Sequence, residues 1–443
     1  MNDDEIRPSG IGHLKEITIG GLFDSRNFTF QLDLKEPTLL TGSNGSGKST
    51  ILRIINSVGT GVWLKLRNEP FTSITLIFES GTSLKVDKTE ENTLRVTLDG
   101  ERYELNLNQA DIDWDDSDIA RLLPDLHRAP SGRFMDDFGS HFSREEVAEK
   151  IFMLGFSGLS EQTQPLAQFV EDFNLLYITD QRLVVAEERI TTLQRSRITR
   201  AGNRIAAEMS ARELARQIQR TLSEYASQSQ RLDRDFPQRV VSAMAKASEE
   251  EIPVGRIEAL LRDVDRDREQ LQKVGLLPRD LSADAFRDLS LNEPYVRPVI
   301  ETFVTDTKKK FAVLADLRER MTLFTDFLNQ HYENKRVIAT AKDGFRVEID
   351  GEREKAILPS QLSSGEQQIL VLAYEVLFRS EPGTLVLIDE PELSLHVIWQ
   401  DTFVDDLARM GSVRDLQFIL ATHSPSLIGG REDLRRSLDS LHG

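Results

Sequence analysis

The stretch "PTLLTGSNGSGKSTILRIINSVG", residues 37–59, decides the fold. It opens with a short apolar run, passes through a loop rich in glycine and serine, and then changes to helical spacing. The apolar residues on one predicted helix face are Ile51, Ile54, Ile55 and Val58. A buried strand that enters a glycine loop, followed directly by a helix, predicts an α/β domain with a phosphate-binding loop.

The loop satisfies the pattern G-x-x-x-x-G-K-[ST] from Gly42 to Ser49. Glycines let backbone N–H groups wrap around phosphates, Lys48 reaches the terminal phosphates, and the Ser49 hydroxyl is a ligand for Mg²⁺. The loop therefore predicts that the chain binds nucleotide phosphates together with Mg²⁺. The residues expected to contact the nucleotide here are Asn44, Gly45, Ser46, Gly47, Lys48, Ser49 and Thr50.

Two later segments combine a buried apolar strand with a polar end. "LVLIDEPELSLH" places Asp389 and Glu390 after four apolar residues, and "FILATHSP" ends its strand at His423. Strands that end beside a phosphate loop in one parallel sheet bring their polar ends to the nucleotide. Asp389 suits the Mg²⁺ shell, Glu390 is placed to polarise an attacking water, and His423 is placed to reach the γ-phosphate or that water.

The segment "QLSSGEQQIL", residues 361–370, is a second candidate anion site. Small polar residues open an apolar helix here, and the first turn of a helix has free N–H groups and the positive end of the dipole. The phosphate loop already covers one side of a nucleotide. A second copy of the chain is therefore the expected source of a "LSSGEQQ" segment facing the γ-phosphate.

The order of phosphate loop, "LSSGEQQ", "LVLIDEPELSLH" and "ATHSP" resembles the ABC-type ATPase head. It is most similar to the non-transporter branch that includes the Rad50, RecF, SMC and OLD proteins and phage-defence ATPases of PARIS, Septu and retron systems. The resemblance implies a head-to-tail dimer or higher homo-oligomer, in which one chain's phosphate loop meets the other's signature. It implies these signature contacts: Ser363, Ser364, Gly365 and Glu366, where the usual LSGGQ reads LSSGE. It also implies that Gln181, in "LYITDQRL", contacts Mg²⁺ or water.

The predicted fold class is α/β, an ABC-type ATPase head with a mixed β-sheet, flanking helices and a helical insertion. The predicted parts are residues 1–184, a first part of the head; 185–334, the helical insertion; and 335–443, the second part of the head. Residues 186–240 hold 11 Arg, no Lys and 7 acidic residues. Their imperfect heptads favour a hairpin or small bundle. The arginines indicate either a solvated face with i,i+4 pairs or a surface for a protein or nucleic-acid partner.

Composition limits the setting. The chain has 443 residues, 39% of them hydrophobic, and a net charge of -18, which disfavours non-specific coating of nucleic acid over the whole surface. It has no cysteine, so disulfides and Cys-ligated metal centres are excluded. No apolar run approaches the roughly 20 residues of a membrane helix, and the acidic start is unlike a signal peptide. We expect a cytoplasmic protein with no membrane partner.

Two functions from different classes fit these motifs. The first is an oligomeric ATPase switch of an anti-phage system, which senses a phage-derived trigger and controls a separate effector such as a nuclease or toxin. The second is a DNA-repair clamp of the RecF or Rad50 type that binds DNA through the arginine-rich arm. A transporter motor is disfavoured, because Gln181 and Ser363 lie 182 residues apart.

Overall fold

The computed structural model describes residues 10–89, 93–107, 126–128, 134–136, 141–142, 147, 164–179, 195–246, 253–278, 293 and 295–439. The chain forms two compact units. The first unit comprises residues 1–181 and 379–443, and the second comprises residues 182–378. The predicted α/β class with flanking helices and a helical insertion is confirmed, and the parallel and antiparallel strands lie in separate sheets.

The strands are β1 (Leu14–Leu22), β2 (Arg26–Gln31), β3 (Thr38–Thr41), β4 (Ser73–Phe78), β5 (Ser83–Lys88), β6 (Thr93–Leu98), β7 (Glu101–Asn106), β8 (Leu126–Arg128), β9 (Phe134–Asp136), β10 (His141–Phe142), β11 (Leu175–Ile178), β12 (Lys335–Thr340), β13 (Gly344–Ile349), β14 (Glu352–Ile357), β15 (Leu385–Asp389), β16 (Gln417–Thr422) and β17 (Arg435–Ser437). The α-helices are α1 (Lys48–Gly59), α2 (Gln164–Asp172), α3 (Arg195–Lys246), α4 (Val254–Lys273), α5 (Val296–His331), α6 (Ser364–Tyr374), α7 (Val397–Arg414) and α8 (Pro425–Ile428). A short 3₁₀ turn, Pro391–Ser394, follows β15.

A five-stranded parallel sheet positions the chemistry of the first unit. Its spatial order is β11-β15-β16-β3-β17, and every neighbouring pair runs parallel. All residues of β3, β15 and β16 are buried, as expected for strands covered on both faces. The predicted apolar face of α1 is confirmed, since its four apolar residues are fully buried. Parallel strands share one carboxyl edge, so the segments after β3, β15 and β16 converge there.

An antiparallel sheet forms the other half of the first unit, in the order β2-β1-β4-β5-β6-β7. Its strands alternate buried and more exposed residues, which is the pattern of a sheet with one face in the core. Phe78 of β4 packs edge to face against Phe169 and Phe173, with ring centroids 5.6 and 5.0 Å apart. These contacts lie in the same apolar core as α1.

Among its described residues, the second unit combines four α-helices, α3 to α6, with the small antiparallel sheet β12-β13-β14. Helix α3 has 52 residues, which corresponds to about 78 Å of helix. It packs against α5, α6 and β13, and α4 packs against α5. The predicted small bundle thus matches the arrangement seen in the helical region. At Gly344 (φ +76°) the backbone approaches α3 so closely that an added Cβ would lie 2.1 Å from the Ala211 carbonyl oxygen.

The compact units divide the chain differently from the three-part prediction. Residues 335–378, which the prediction groups with the head, lie in the same unit as the long helices. The physical reason is local packing: α6 contacts α3 and α5, while β12 contacts α5. The core of this unit includes Phe324 against Phe345, with ring centroids 5.4 Å apart.

Several arginines of α3 form ion pairs. Arg212 lies 3.7 Å from Glu208 one turn away, and Arg239 lies 2.6 Å from the buried Asp306 of α5. The Arg212–Glu208 pair supports the interpretation of part of this face as a solvated surface with i,i+4 pairs, whereas Arg239 joins α3 to α5. Within the described part of the chain, no helix is both long and apolar enough to cross a membrane.

Candidate functional site

The glycine loop between β3 and α1 has the backbone that its sequence predicts. Gly45 (φ +80°) and Gly47 (φ +109°) lie in the left-handed region that favours glycine. A Cβ at Gly47 would lie 2.7 Å from Leu22, whereas Gly45 faces open space. The Ser46 hydroxyl is buried and has no hydrogen-bond partner among the described residues. The loop therefore offers backbone groups and a free hydroxyl at the start of a helix, the features that bind phosphate.

Two side chains hold the loop. Lys48 Nζ donates to the carbonyl oxygens of Gly42 at 2.9 Å and Ser43 at 3.3 Å, so the buried lysine stays folded against the loop. Asp439, after β17, accepts from the Ser43 backbone N–H at 2.9 Å and from its hydroxyl at 3.0 Å. Asp439 is thus a loop contact that the sequence did not predict.

A hydroxyl and a carboxylate that can bind Mg²⁺ lie beside the glycine loop. The Ser49 hydroxyl donates to Asp389 Oδ1 at 2.9 Å, although 340 residues separate them. Tyr177 of β11 donates its hydroxyl to Asp389 Oδ2 at 3.2 Å. Hydroxyl and carboxylate oxygens are the ligands that Mg²⁺ prefers, and a hydrogen-bonded second partner is typical of such ligands. Ser49 and Asp389, both predicted as metal ligands, are therefore adjacent in the folded chain.

Glu390 and His423 meet at the same edge of the sheet. Glu390 has φ +45° and ψ +55°, a left-handed conformation that is uncommon for a residue with a side chain. Its backbone N–H donates to the Ala421 carbonyl oxygen at 2.9 Å, which ties the end of β15 to β16. His423 Nδ1 lies 4.0 Å from Glu390 Oε1, and both side chains are partly exposed. The two predicted catalytic residues are thus close enough to act on one molecule.

A buried carboxylate lies directly behind His423. Glu392 Oε1 accepts from the Thr422 hydroxyl and from the His423 backbone N–H, each at 2.8 Å. His423 Nδ1 lies 3.0 Å from the same oxygen. The Glu392 side chain is only 6% exposed. No sequence motif marks Glu392, since its contact with His423 spans 31 residues.

An exposed aromatic ring borders the glycine loop. Phe23 is 40% exposed and has φ +51°, an outlier for a bulky residue. Its backbone N–H donates to the Pro70 carbonyl oxygen at 2.9 Å, which holds this turn. A Cβ at Gly47 would lie 3.0 Å from the Phe23 ring, so the ring sits against the loop. Such a ring can stack on a nucleotide base. No sequence motif marks Phe23.

A cleft of about 380 Å³ opens on the β17 side of the loop. Its lining includes Gly42, His423, Arg435 and Asp439. Arg435 Nε donates to the Thr41 hydroxyl at 2.9 Å, which places a cation at the end of β3. The lining also includes Glu432, which lies 3.0 Å from Arg435, so the cleft combines loop backbone and a histidine with a paired arginine and two carboxylates.

The predicted signature lies in the second unit. Ser363 caps α6: its hydroxyl accepts from the Glu366 N–H at 3.3 Å, and Glu366 Oε2 accepts from the Ser363 N–H at 2.8 Å. This reciprocal arrangement is a capping box. Ser363 and Ser364 are exposed and Gly365 is half-buried, whereas Glu366 is buried. The two serines are therefore accessible, and Glu366 holds Ser363 in place through this pair of hydrogen bonds.

The Glu366 carboxylate forms an ion pair with Lys335. Lys335 Nζ donates to both carboxylate oxygens, at 2.7 and 2.9 Å. Burial raises the pKa of Glu366, but the hydrogen bonds from Lys335 and Ser363 outweigh it and lower the pKa below 4.5. The Tyr332 hydroxyl donates to the Glu366 carbonyl oxygen at 2.7 Å. Burial, with a smaller effect of the Glu366 charge, raises the pKa of Tyr332 well above 10.

The predicted residues thus fall into three groups. The first unit brings together those of the glycine loop with Asp389, Glu390 and His423. The second unit holds residues 363–366. Gln181, the predicted Mg²⁺ or water contact, lies outside the described residues.

Comparison with known proteins gives a family. The model of a family described as "AAA domain, putative AbiEii toxin, Type IV TA system" matches residues 183–429, more than half of the chain. The matched residues include the signature, Asp389, Glu390 and His423, and the glycine loop precedes them.

Curated relatives match over shorter segments. The chain is 28% identical over 170 residues to "Retron Ec83 probable ATPase" of Escherichia coli, covering 32% of this chain and 31% of the relative. It is 41% identical over 68 residues to "Thiamine import ATP-binding protein ThiQ" of Chelativorans sp. (strain BNC1), covering 15% of this chain and 26% of the relative. The chain thus spans about a third or less of the length of these relatives.

Two solved structures of SMC head domains align with most of this chain. The Smc head domain of Pyrococcus furiosus, bound to the C-terminal domain of ScpA, has 15% identity and a TM-score of 0.34. The SMC head domain of Thermotoga maritima has 13% identity and a TM-score of 0.33. Each alignment covers 94% of this chain and 91% of the other. TM-scores this low do not establish a shared fold.

The family match and the retron relative confirm the resemblance drawn from the order of the motifs. The chain belongs to the AAA-domain family described as "AAA domain, putative AbiEii toxin, Type IV TA system" and is a non-transporter, ABC-type AAA ATPase related to those of defence systems.

Proposed function

We propose that this protein binds and hydrolyses ATP, and that the nucleotide controls its association with a second copy of itself. The observation that supports this most directly is the convergence of the glycine loop, the Ser49–Asp389 pair, Glu390 and His423 at one edge of the parallel sheet. Family membership supports the ATPase class.

The residues present fit the phosphates of ATP. The left-handed glycines, the buried Ser46 hydroxyl without a partner and the N-terminus of α1 form a cradle for an anion. Lys48 needs only to exchange its two carbonyl partners for phosphate oxygens. Phe23 is the proposed stacking surface for the base.

The residues also fit Mg²⁺. Ser49 and Asp389 provide two oxygen donors 2.9 Å apart, and Mg²⁺ in nucleotide sites is held by one or two protein groups together with phosphates. When bound, the ion supplies positive charge that stabilises the phosphate oxygens. Tyr177 holds the second Asp389 oxygen and so orients the carboxylate.

Hydrolysis requires an oriented water. Glu390 is the proposed residue that polarises it, because it follows β15 at the edge of the sheet where the glycine loop follows β3. His423 is proposed to contact the γ-phosphate or the same water. These roles make ATP turnover depend on a few groups, which suits a slow switch.

The signature of a second copy is proposed to complete the site. Ser363 and Ser364 are exposed at the N-terminus of α6, where free backbone N–H groups favour an anion. Hydrogen bonds to charged groups contribute about 1.5–3 kcal/mol each, so two or three would give roughly 3–9 kcal/mol. Moving an equilibrium from 1:99 to 99:1 needs about 5.5 kcal/mol. Binding of ATP can therefore close a dimer, and hydrolysis can open it.

We further propose an anti-phage role, in which the ATPase senses a phage-derived trigger and controls a separate effector such as a nuclease or toxin. The retron relative and the family description support this role. The helical unit is the proposed docking region for the effector, because it presents the exposed apolar residues Val241 and Met244 on α3.

The test is the mass in solution of Glu390→Gln with ATP and Mg²⁺. We expect one chain of 50.3 kDa to double in mass with ATP, and the same variant that also carries Lys48→Ala to stay unchanged. Expression from the native operon should recover the effector with the variant. If neither protein changes in mass when ATP is added, a dimer that closes on ATP binding is excluded.

The alternative is a DNA-repair clamp of the RecF or Rad50 type. The observation that favours it is the row of exposed arginines at four-residue spacing on α3, Arg212, Arg216 and Arg220. Clamp binding should need ATP and weaken steeply with salt. A gel shift that appears only with ATP, and that is lost when Arg216 and Arg220 become alanine, would favour the clamp over the defence role.

A further inference from the structure

Glu392 is a buried carboxylate whose burial needs an explanation. Its side chain is 6% exposed, and burying a charge is costly unless partners compensate it. Three contacts converge on Oε1: the Thr422 hydroxyl, the His423 backbone N–H and His423 Nδ1. Oε2 has no hydrogen-bond partner among the described residues. All of the compensation that the described residues provide therefore comes from the His423 segment.

The surroundings hold Glu392 in place. It lies on the 3₁₀ turn Pro391–Ser394, and Gln400 Nε2 donates to the Leu395 carbonyl oxygen at 3.3 Å next to this turn. The Ser424 hydroxyl donates to Gln400 Oε1 at 2.7 Å, so the residue that follows His423 is hydrogen-bonded to α7. The contacts on the carboxylate itself come from Thr422 and His423, so these residues fix its position relative to the imidazole ring. A rigid acceptor of this kind can select the orientation of the ring.

We propose that Glu392 is a positioning residue for His423. The carboxylate accepts the backbone N–H of His423, which fixes the position of the ring. It also accepts from Nδ1, so Nδ1 is the nitrogen that carries hydrogen. Nε2 is then available to the nucleotide or the attacking water. A carboxylate behind an imidazole has this effect on tautomer and orientation in hydrolases and metal sites. The inference rests on the proposed function only in giving His423 a nucleotide to contact.

The first measurement needs no turnover. Labelling the histidines of the full chain with ¹⁵N, and assigning His423 by the signal lost in His423→Ala, reports which ring nitrogen is protonated. We expect Nδ1–H in the wild type and in Glu392→Gln, which keeps an acceptor oxygen of the same reach. We expect a mixture of tautomers in Glu392→Met. A wild-type His423 protonated at Nε2 alone would overturn the proposal, even in a protein that does not hydrolyse ATP.

The second measurement is kinetic. We expect Glu392→Met to lower kcat for ATP by about 10- to 100-fold with little change in KM, and Glu392→Gln to lie between it and the wild type. The matched control is Ser424→Ala, which removes a buried hydroxyl next to His423 that donates to Gln400 and not to the carboxylate. It should stay within about 3-fold of the wild type, since it leaves the acceptor for His423 in place.

A double-mutant comparison separates positioning from general stability. If Glu392 acts through His423, Glu392→Met should lower kcat no further in a His423→Ala background. An equal loss in both backgrounds, or a Ser424→Ala variant as impaired as Glu392→Met, would overturn the proposal. Absence of hydrolysis in the wild type would instead remove the proposed function and leave the tautomer measurement to decide the inference.

Discussion

Replacing Lys335 by methionine tests what holds the signature serine in place. Lys335 Nζ contacts both Glu366 oxygens, at 2.7 and 2.9 Å, and Glu366 in turn caps α6 through the Ser363 N–H. Methionine keeps most of the aliphatic stem and removes the charge. The buried carboxylate then keeps one backbone donor and loses its cation.

The magnitude follows from burial. Breaking a buried ion pair costs about 3–5 kcal/mol. Lys335 is 27% exposed and Glu366 10%, so solvent screens part of the interaction. We therefore expect a loss of about 2–3 kcal/mol in the local stability of α6, which is roughly a 30- to 150-fold change in its opening equilibrium.

Hydrogen exchange of the α6 amides, followed by mass spectrometry on the full chain, measures this opening directly. The control is Lys335→Met in a Glu366→Gln background, where no charge is left unpaired and the loss should fall below about 1 kcal/mol. Unchanged protection of residues 364–374 in the single variant would refute the idea that Lys335 fixes the signature.

The same pair predicts a pH dependence. The pKa of Glu366 is lowered in the folded protein, so its contribution to stability is present above the ordinary value of 4.5 and is lost as pH falls through the lowered pKa. Protection of α6 should therefore decrease as pH falls below about 4.5, and this decrease should be smaller in Lys335→Met.

Three further changes have matched readouts. Tyr177→Phe removes the hydroxyl from the carboxylate at the end of β15, and Mg²⁺ should bind the nucleotide complex about 10-fold more weakly in a Mg²⁺ titration. Gly47→Ala should weaken ATP binding about 10-fold by calorimetry, whereas Gly81→Ala, equally left-handed but in open space, should not. Gly344→Ala should cost about 3 kcal/mol by urea denaturation, against about 1 kcal/mol for Gly351→Ala, because only the former overlaps a neighbouring backbone.

Much of the first unit could be predicted because its strands have simple patterns. The runs that become β15 and β16 are apolar except at their ends, since both faces of the parallel sheet are covered. Two strands of the same sheet were missed. The segment Leu175–Ile178 is apolar, but four residues are too few for periodicity to separate a strand from a helix, and Arg435–Ser437 has two arginines in three residues. Pairing with buried neighbours, which sequence does not display, makes them strands.

The site was predictable only where the motif itself carries the chemistry. Ser49 and Asp389 were placed correctly beside each other because a phosphate loop and a buried strand ending in Asp imply one sheet edge. Tyr177 lies 212 residues from Asp389, and Lys335 lies 31 residues from Glu366. Such partners are set by tertiary packing, and a single sequence gives no signal for them.

The close approach at Gly344 has a mechanical consequence for the second unit. From Ala211, where the hairpin β12–β13 touches α3, the helix continues for 35 residues to Lys246, or about 50 Å. Because no side chain separates the two backbones, the hairpin and the helix cannot rotate independently at this point. A rotation of about 5° at the contact would displace the far end of the helix by about 4–5 Å. Because β13 leads through β14 toward α6, a rotation of α3 about this contact would also move the sheet that precedes the signature.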